Sequence, residues 1–241
     1  MEELKLPNNI RKIIDQFVGN LKNIYGDGLI SVTLYGSAAS GEFAGRNSNV
    51  NLAIVLNDTS IRSLKKAGRL AISGKFSLIS PFFFTEEYIA KSIDVFPIEF
   101  LDIKENHFIL HGKDVFGNLQ IDLKNLRFQC EQELKSKIIN IKKMYLRTRG
   151  KFFLRELLFK SATSSLHIMR NLIRLKGKIP PYKKEYIPDE ISREFMVDCS
   201  GLKKILDAKS KKVRLNAEEI DDLFDQLVNT LERVTDKLDR L

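Results

Sequence analysis

In this chain, a glycine-serine turn and two asparagines have residue types and a spacing that suit phosphate chemistry. The turn, Gly36-Ser37, directly follows an apolar and β-branched run over 29–35. Glycine lets backbone N–H groups approach an anion and the serine hydroxyl adds a donor, so the turn can cradle a phosphate. Ser40, in the short helix expected after the turn, is a third candidate phosphate-binding residue.

The two asparagines open the next predicted strand, over 49–56. Alternate residues of a strand project to one face, so Asn49 and Asn51 point together. Ala53 and Val55 follow them on that face, and the apolar residues in between are expected to face a core covered by a helix. The sequence therefore predicts two amides at one strand end, beside the Gly-Ser turn.

Helical and strand patterns alternate around this turn in the first half of the chain. Helical spacing covers 10–24, after an N-cap expected at Asn8 or Asn9. A second helix is expected to begin at Asp58 or Thr59 and to run to about residue 72. The other predicted elements are strands over 29–35, 49–56, 81–85 and 95–103 and a short helix over 86–92. This interleaving predicts an α/β or α+β domain.

The second half of the chain is helical throughout. Asn216 and Glu219 form a capping box ahead of the clearest apolar stripe. Gly150 separates the first two long helices, which are therefore expected to be antiparallel neighbours in a helical bundle. The predicted helices cover 123–148, 151–176, 190–197, 201–209 and 216–241.

Charge is concentrated in this helical half. The chain has a net charge of +9, and residues 124–184 contain 17 basic and 3 acidic residues. Such a surplus favours a polyanionic partner: nucleic acid, nucleotide phosphates or an acidic protein. The aromatic residues between these cations, Tyr145, Phe152 and Phe153, have the spacing of a core stripe and are expected to be buried. The candidate basic surface consists of Lys135, Lys142, Lys143, Arg147 and Arg149.

Composition excludes several other classes of protein. The 241 residues include two cysteines and three histidines without disulfide or zinc spacing, so Cys130 and Cys199 are expected to be buried. The apolar runs are shorter than the roughly 18 residues that a membrane span needs, and the N-terminus lacks a signal-peptide pattern. We expect a basic, cytoplasmic protein with no membrane partner.

These features resemble the nucleotidyltransferase superfamily with the DNA polymerase β-like fold, in which a Gly-Ser turn precedes a strand carrying Asp-x-Asp. An α/β unit followed by a helical bundle is similar to bacterial antibiotic nucleotidyltransferases. The matching stretches are 34–43 and 47–52, while 96–104 and 110–115 resemble bacterial nucleotidyltransferase-domain proteins. The resemblance covers most of the chain. It implies an α+β fold, with a mixed sheet and flanking helices over 1–120 and an all-α helical bundle over 121–241.

The resemblance also implies roles for individual residues. In the superfamily the Gly-Ser turn binds a nucleoside triphosphate, and three carboxylates hold two divalent metal ions such as Mg²⁺. Asn49 and Asn51 stand where the paired aspartates belong, and Glu99, expected on a strand, is the candidate third carboxylate. An asparagine carbonyl can ligate a cation but carries no charge, so Glu99 is left as the only candidate anionic ligand. This departure favours weak or absent metal binding and transfer activity that is lost or weakened.

Three functions are therefore open. The first is a pseudoenzyme that binds a nucleotide or another phosphate-bearing ligand through Gly36, Ser37 and Ser40. The second is an active metal-dependent nucleotidyltransferase that moves a nucleoside monophosphate from a triphosphate to a small molecule, RNA or protein, with the metal on Asn49, Asn51 and Glu99. The third is a basic helical module that binds RNA or an acidic protein, or pairs with a second copy of the chain. In a plainer interpretation the two asparagines only cap the strand end.

Overall fold

The computed structural model describes residues 6–41, 43, 49–181 and 183–239. Glu42, Asn47 and Ser48, which belong to the stretches that carry the resemblance, lie outside the described residues. The chain divides between Ile121 and Asp122 into two compact units. Within the described ranges, no helix has the length and apolar character needed to cross a membrane.

A mixed sheet forms the centre of the first unit, as the resemblance implies, and it has four strands in the described residues. The strands lie in the order β3-β2-β1-β4. β1 is antiparallel to both β2 and β4, while β2 and β3 are parallel. The strands are β1 (Leu29–Tyr35), β2 (Val50–Leu56), β3 (Ile79–Phe84) and β4 (His107–Gly112).

Six helices accompany the sheet in the described part of the first unit. They are α1 (Asn8–Tyr25), α2 (Ser37–Ser40), α3 (Ile61–Leu64), α4 (Gly68–Ala71), α5 (Glu86–Ser92) and α6 (Pro97–Glu105). Two predicted caps are wrong. Pro7 is the N-cap of α1, with its carbonyl accepting from the N–H groups of the first turn. The Ser60 hydroxyl caps α3, while Asp58 accepts from Ser60 instead, and the helix expected to run to residue 72 is broken between α3 and α4.

The two faces of the sheet have separate cores, and they separate the residues of β2 as the alternation predicts. Phe17 and Leu21 of α1 pack with Leu52 and the other even-numbered residues of β2 on one face. Ala53 and Val55 pack on the opposite face, in a core shared with α6. Asn51 therefore projects toward the face that carries α6.

The strand predicted over 95–103 is wrong, because these residues form the helix α6. Alternating apolar residues in this segment resemble a strand, but Pro97, Phe100 and Ile103 also have the spacing of one helix face, and all three are buried. Proline suits the first turn of a helix, where its missing N–H has no partner to lose. The fourth strand of the sheet is β4, which follows α6.

The second unit is a bundle of helices, as predicted. Its described helices are α7 (Leu123–Arg147), α8 (Lys151–Leu175), α9 (Ile187–Phe195), α10 (Ser200–Ser210) and α11 (Ala217–Leu238). α8 returns alongside α7 after a three-residue connection, and Lys137 Nζ donates to Ser164 Oγ across the pair at 2.9 Å. The capping box of Asn216 and Glu219 is confirmed at the start of α11. Cys130 and Cys199 are buried and free, as expected.

Candidate functional site

The Gly36-Ser37 turn lies where β1 ends and α2 begins. Gly36 has φ +73° and ψ −149°, a conformation that favours glycine. Its carbonyl oxygen accepts from the N–H groups of Ala39 and Ser40 at 2.9 Å each. The N–H groups of Ser37 and Ala38 precede these first helical hydrogen bonds, so the helix itself gives them no acceptor. The Ser40 hydroxyl donates back to the Ser37 carbonyl at 3.5 Å, so it points to the backbone of the turn.

Asn51 lies directly beside this turn. A Cβ atom placed on Gly36 would be 3.0 Å from Asn51 Nδ2. Tyr35, the last residue of β1, pairs with Asn51 on β2 and with His107 on β4. The three side chains therefore form one row across the sheet, on one face. Asn49 precedes β2 and is exposed.

Two carboxylates on α6 complete this neighbourhood. Burial, together with the negative charges of Asp102 and Glu99, raises the pKa of the Tyr35 hydroxyl to about 12. Glu99 thus lies near the row of Tyr35 and Asn51, although a helix and not a strand carries it. Asp102 is not among the residues predicted from the sequence. Its signal is the spacing of three from Glu99, which places both carboxylates on one side of a helix.

His107, at the other end of the row, is held by contacts at both ring nitrogens. Its Nδ1 lies 3.1 Å from the Lys104 carbonyl oxygen, and its Nε2 lies 3.3 Å from Asp114 Oδ1. Partial burial raises the pKa of Asp114, but hydrogen bonds from the Gly117 and Phe116 N–H groups and the nearby His107 outweigh it, and the pKa is lowered. These contacts order the edge of the sheet beside Tyr35. No sequence pattern pointed to His107.

The residues at the turn fit a pair of magnesium ions poorly. Among the residues that the structure describes, no group of three or more His, Cys, Asp or Glu side chains could hold a metal ion. Asn49 and Asn51 offer neutral oxygens, and the two carboxylates nearby are on α6. Magnesium sheds its water reluctantly and is usually held through carboxylates and phosphates, so this donor set lacks the charge that two ions need.

The predicted basic surface of the second unit divides into paired and unpaired cations. Lys135 Nζ lies 2.6 Å from Glu131, and Lys142 Nζ lies 2.7 Å from Glu232. Lys143, Arg147 and Arg149 have no ion partner among the described residues. The structure therefore leaves the positive charge concentrated around the connection between α7 and α8.

The expectation that the aromatic residues of this region are buried is wrong for two of the three. Phe152 and Phe153 are 60% and 63% exposed, because the first turn of α8 precedes the part of the helix that packs in the bundle. Tyr145 is partly buried and packs edge-on against Phe224, with ring centroids 5.0 Å apart. Its hydroxyl donates to Asp221 at 2.7 Å, beside a cavity of about 330 Å³ between α7 and α11.

The mixed sheet, the turn after its first strand and the helical second unit define a nucleotidyltransferase fold. A solved structure with this fold is that of the spectinomycin adenyltransferase AAD(9) from Enterococcus faecialis, with ATP and spectinomycin. It matches with a TM-score of 0.60 and 15% sequence identity, over 92% of this chain and 99% of that chain. At this identity the likeness shows the fold. No family model matches the chain, and no curated protein matches it.

Proposed function

We propose that this chain binds a nucleoside triphosphate at the Gly36-Ser37 turn and that its capacity for metal-dependent nucleotidyl transfer is degenerate. The observation that carries the proposal is the position of Asn51, with its amide nitrogen beside Gly36. At this position the resemblance implies a carboxylate that holds a metal ion. The chain therefore retains the phosphate-binding turn and has lost charge that the metal ions require.

The amide changes the chemistry of the turn in two ways. A carboxylate repels a phosphate unless a metal ion lies between them, whereas an amide carries no charge. An amide nitrogen also donates two hydrogen bonds, and phosphate oxygens accept them. Together with the Ser37 hydroxyl and the N–H groups of Ser37 and Ala38, Asn51 gives a set of donors that binds a triphosphate without magnesium. The ATP in the structure of AAD(9) supports a nucleotide as the ligand class.

Calorimetric titration with ATP, GTP, CTP and UTP, each with and without magnesium, tests the proposal. We expect saturable binding without magnesium. Ser37→Ala removes a donor to a charged ligand and should weaken binding about 10- to 100-fold. Ser210→Ala is the matched control, since this exposed hydroxyl on α10 donates to the Asp207 carbonyl of its own helix. Absence of binding under every condition would reject the proposal.

Asn51→Asp tests the role of the amide itself. The variant replaces a neutral donor with a charged acceptor beside the phosphate, so nucleotide affinity without magnesium should fall at least tenfold. Added magnesium should recover part of this loss, because the new carboxylate gives the ion an anionic ligand. An Asn51→Asp variant that binds ATP as the native chain does, with no effect of magnesium, would show that Asn51 does not contact the phosphates.

An active nucleotidyltransferase is the second candidate, favoured by the position of Asp102 and Glu99 near Tyr35. Its reaction would join an acceptor oxygen to the α-phosphorus of the triphosphate and release pyrophosphate. Pyrophosphate release from ATP with magnesium, with water as acceptor, can be compared between the native chain and Asn49→Asp/Asn51→Asp. Release only by the double variant supports a degenerate site. Release by the native chain that Glu99→Gln abolishes would replace our first proposal with this one.

A further inference from the structure

Apolar side chains are exposed where α7 joins α8. We define the α7–α8 tip as residues 143–153, which include the end of α7, the connection and the first turn of α8. Leu146 is 81% exposed, and Phe152 and Phe153 are exposed by more than half. The two rings meet edge-on, with centroids 5.4 Å apart. Most of the surface of these side chains lies outside the bundle, so a partner is the simplest source of a contact for it.

Unpaired cations lie among these apolar side chains. Four of them have no ion partner among the described residues: Lys143, Arg147, Arg149 and Lys151. The sequence has no Asp or Glu between Glu133 and Glu156. The Arg155 guanidinium lies 5.4 Å from the centre of the Phe152 ring and 3.2 Å from Glu156. The tip thus combines a net positive charge with exposed aromatic rings.

We propose that the α7–α8 tip is a docking surface for single-stranded RNA. A single strand offers what this surface lacks: a phosphate for each unpaired cation and base faces for the exposed rings. Base stacking on aromatic side chains tolerates any sequence, and an arginine beside the ring adds to it. The proposal concerns the second unit alone and does not depend on the nucleotide site of the first unit.

Other occupants fit these observations less well. A second copy of the chain would bring four unpaired cations against four, which repel each other. A bilayer is flat, and α7 and α8 are held in the bundle by their buried faces, so a bilayer would touch only the end of this helical pair. Lys143 lies about 6 Å back along α7 from Arg147, which is one turn of helix. A flexible strand reaches cations that are spread in this way.

Fluorescence anisotropy of the full chain with a labelled RNA of about 12 nucleotides and mixed sequence tests the proposal. If four phosphates are neutralised, the affinity should fall about 50-fold when salt rises about fourfold, from a slope of about −0.7 per phosphate contact. In Arg147→Gln/Arg149→Gln the same rise in salt should lower affinity only about 7-fold. A duplex of the same length should bind more weakly, because its bases are not free to stack on the rings.

The aromatic contribution has a matched control within the chain. Phe152→Ala and Phe153→Ala should each weaken RNA binding about 5- to 150-fold without changing its salt dependence. Phe128→Ala removes a ring from α7 that is 69% exposed and lies away from the tip, and it should leave the affinity unchanged. All three side chains are exposed, so the variants should fold, which circular dichroism verifies.

Several results would overturn the proposal. The first is that the chain does not bind RNA. The second is that Phe128→Ala loses as much affinity as Phe152→Ala and Phe153→Ala, and the third is that a duplex binds as tightly as the single strand. Tip-dependent binding to vesicles of phosphatidylglycerol and phosphatidylcholine without RNA binding would instead assign the tip to an anionic membrane surface. Ser37→Ala should leave RNA binding intact, so failure at the tip and failure at the nucleotide site are distinguishable.

Discussion

Replacing Gly36 with alanine tests whether the shape of the turn determines nucleotide binding. At φ +73° and ψ −149° an L-residue is strained by about 1–3 kcal/mol. The new Cβ would also lie 3.0 Å from Asn51 Nδ2, so the amide must move by a few tenths of an ångström. If this movement breaks one hydrogen bond to a phosphate, the loss of about 1.5–3 kcal/mol lowers ATP affinity about 10- to 150-fold.

Gly177→Ala separates backbone strain from the effect at the turn. Gly177 also has a positive φ, of +69°, but no atom lies within 4 Å of the Cβ position. Both variants should lose stability in urea unfolding, by about 1–3 kcal/mol, and both should remain folded because domains of this size have about 5–15 kcal/mol to lose. Only Gly36→Ala should lose ATP affinity in the calorimeter. Native affinity in Gly36→Ala, or an equal loss in Gly177→Ala, would refute the reasoning.

Three other substitutions test parts of the structure. Asp102→Asn should lower the pKa of Tyr35 from about 12. Ultraviolet titration, with Tyr35→Phe as the reference, measures this pKa, and an unchanged value would contradict the position of Asp102. Because this pKa exceeds the ordinary value of 10.0, the stability that Tyr35 contributes is intact below about pH 10 and is lost as pH rises toward 12. Asn216→Ala removes the helix cap of α11 and should lower the free energy of unfolding in urea by about 1 kcal/mol. An unchanged free energy would argue against the capping box. Gly112→Ala places a Cβ 1.9 Å from the Ile30 carbonyl oxygen and should cost more than about 2 kcal/mol, so a loss under about 0.5 kcal/mol would show that β4 pairs differently.

The sequence predicts the fold well where one periodicity dominates. The apolar stripe of α11 and its capping box identify the helix and its first residue. β1 ends at Tyr35, directly before the Gly36-Ser37 turn, as the turn chemistry requires. The segment 95–103 satisfies the alternation of a strand and the spacing of a helix at once. Packing in the core then favours the helix over the strand, because only a helix buries Pro97, Phe100 and Ile103 together.

Local sequence patterns also predicted part of the candidate site. Gly36, Ser37 and Asn51 are fixed by one turn and one strand, so local patterns are enough to bring them together. Asp102 and His107 reach the same face through α6 and β4, and their positions depend on how those elements pack on the sheet. The exposure of Phe152 was missed because helical spacing shows that residues share a face but not whether that part of the face meets a neighbour.

The two asparagines have different consequences in this fold. Asn49 is exposed and directly precedes β2, so a carboxylate at this position would change mainly the local charge. Asn51 lies in the row with Tyr35, where burial and, after it, the negative charges of Asp102 and Glu99 raise the pKa of the phenol. A carboxylate at Asn51, close to the two on α6, would need a cation to balance it, whereas an amide needs none. If the Gly-Ser turn binds phosphate as we propose, the neutral amide of Asn51 is the feature that allows it to do so without a metal ion.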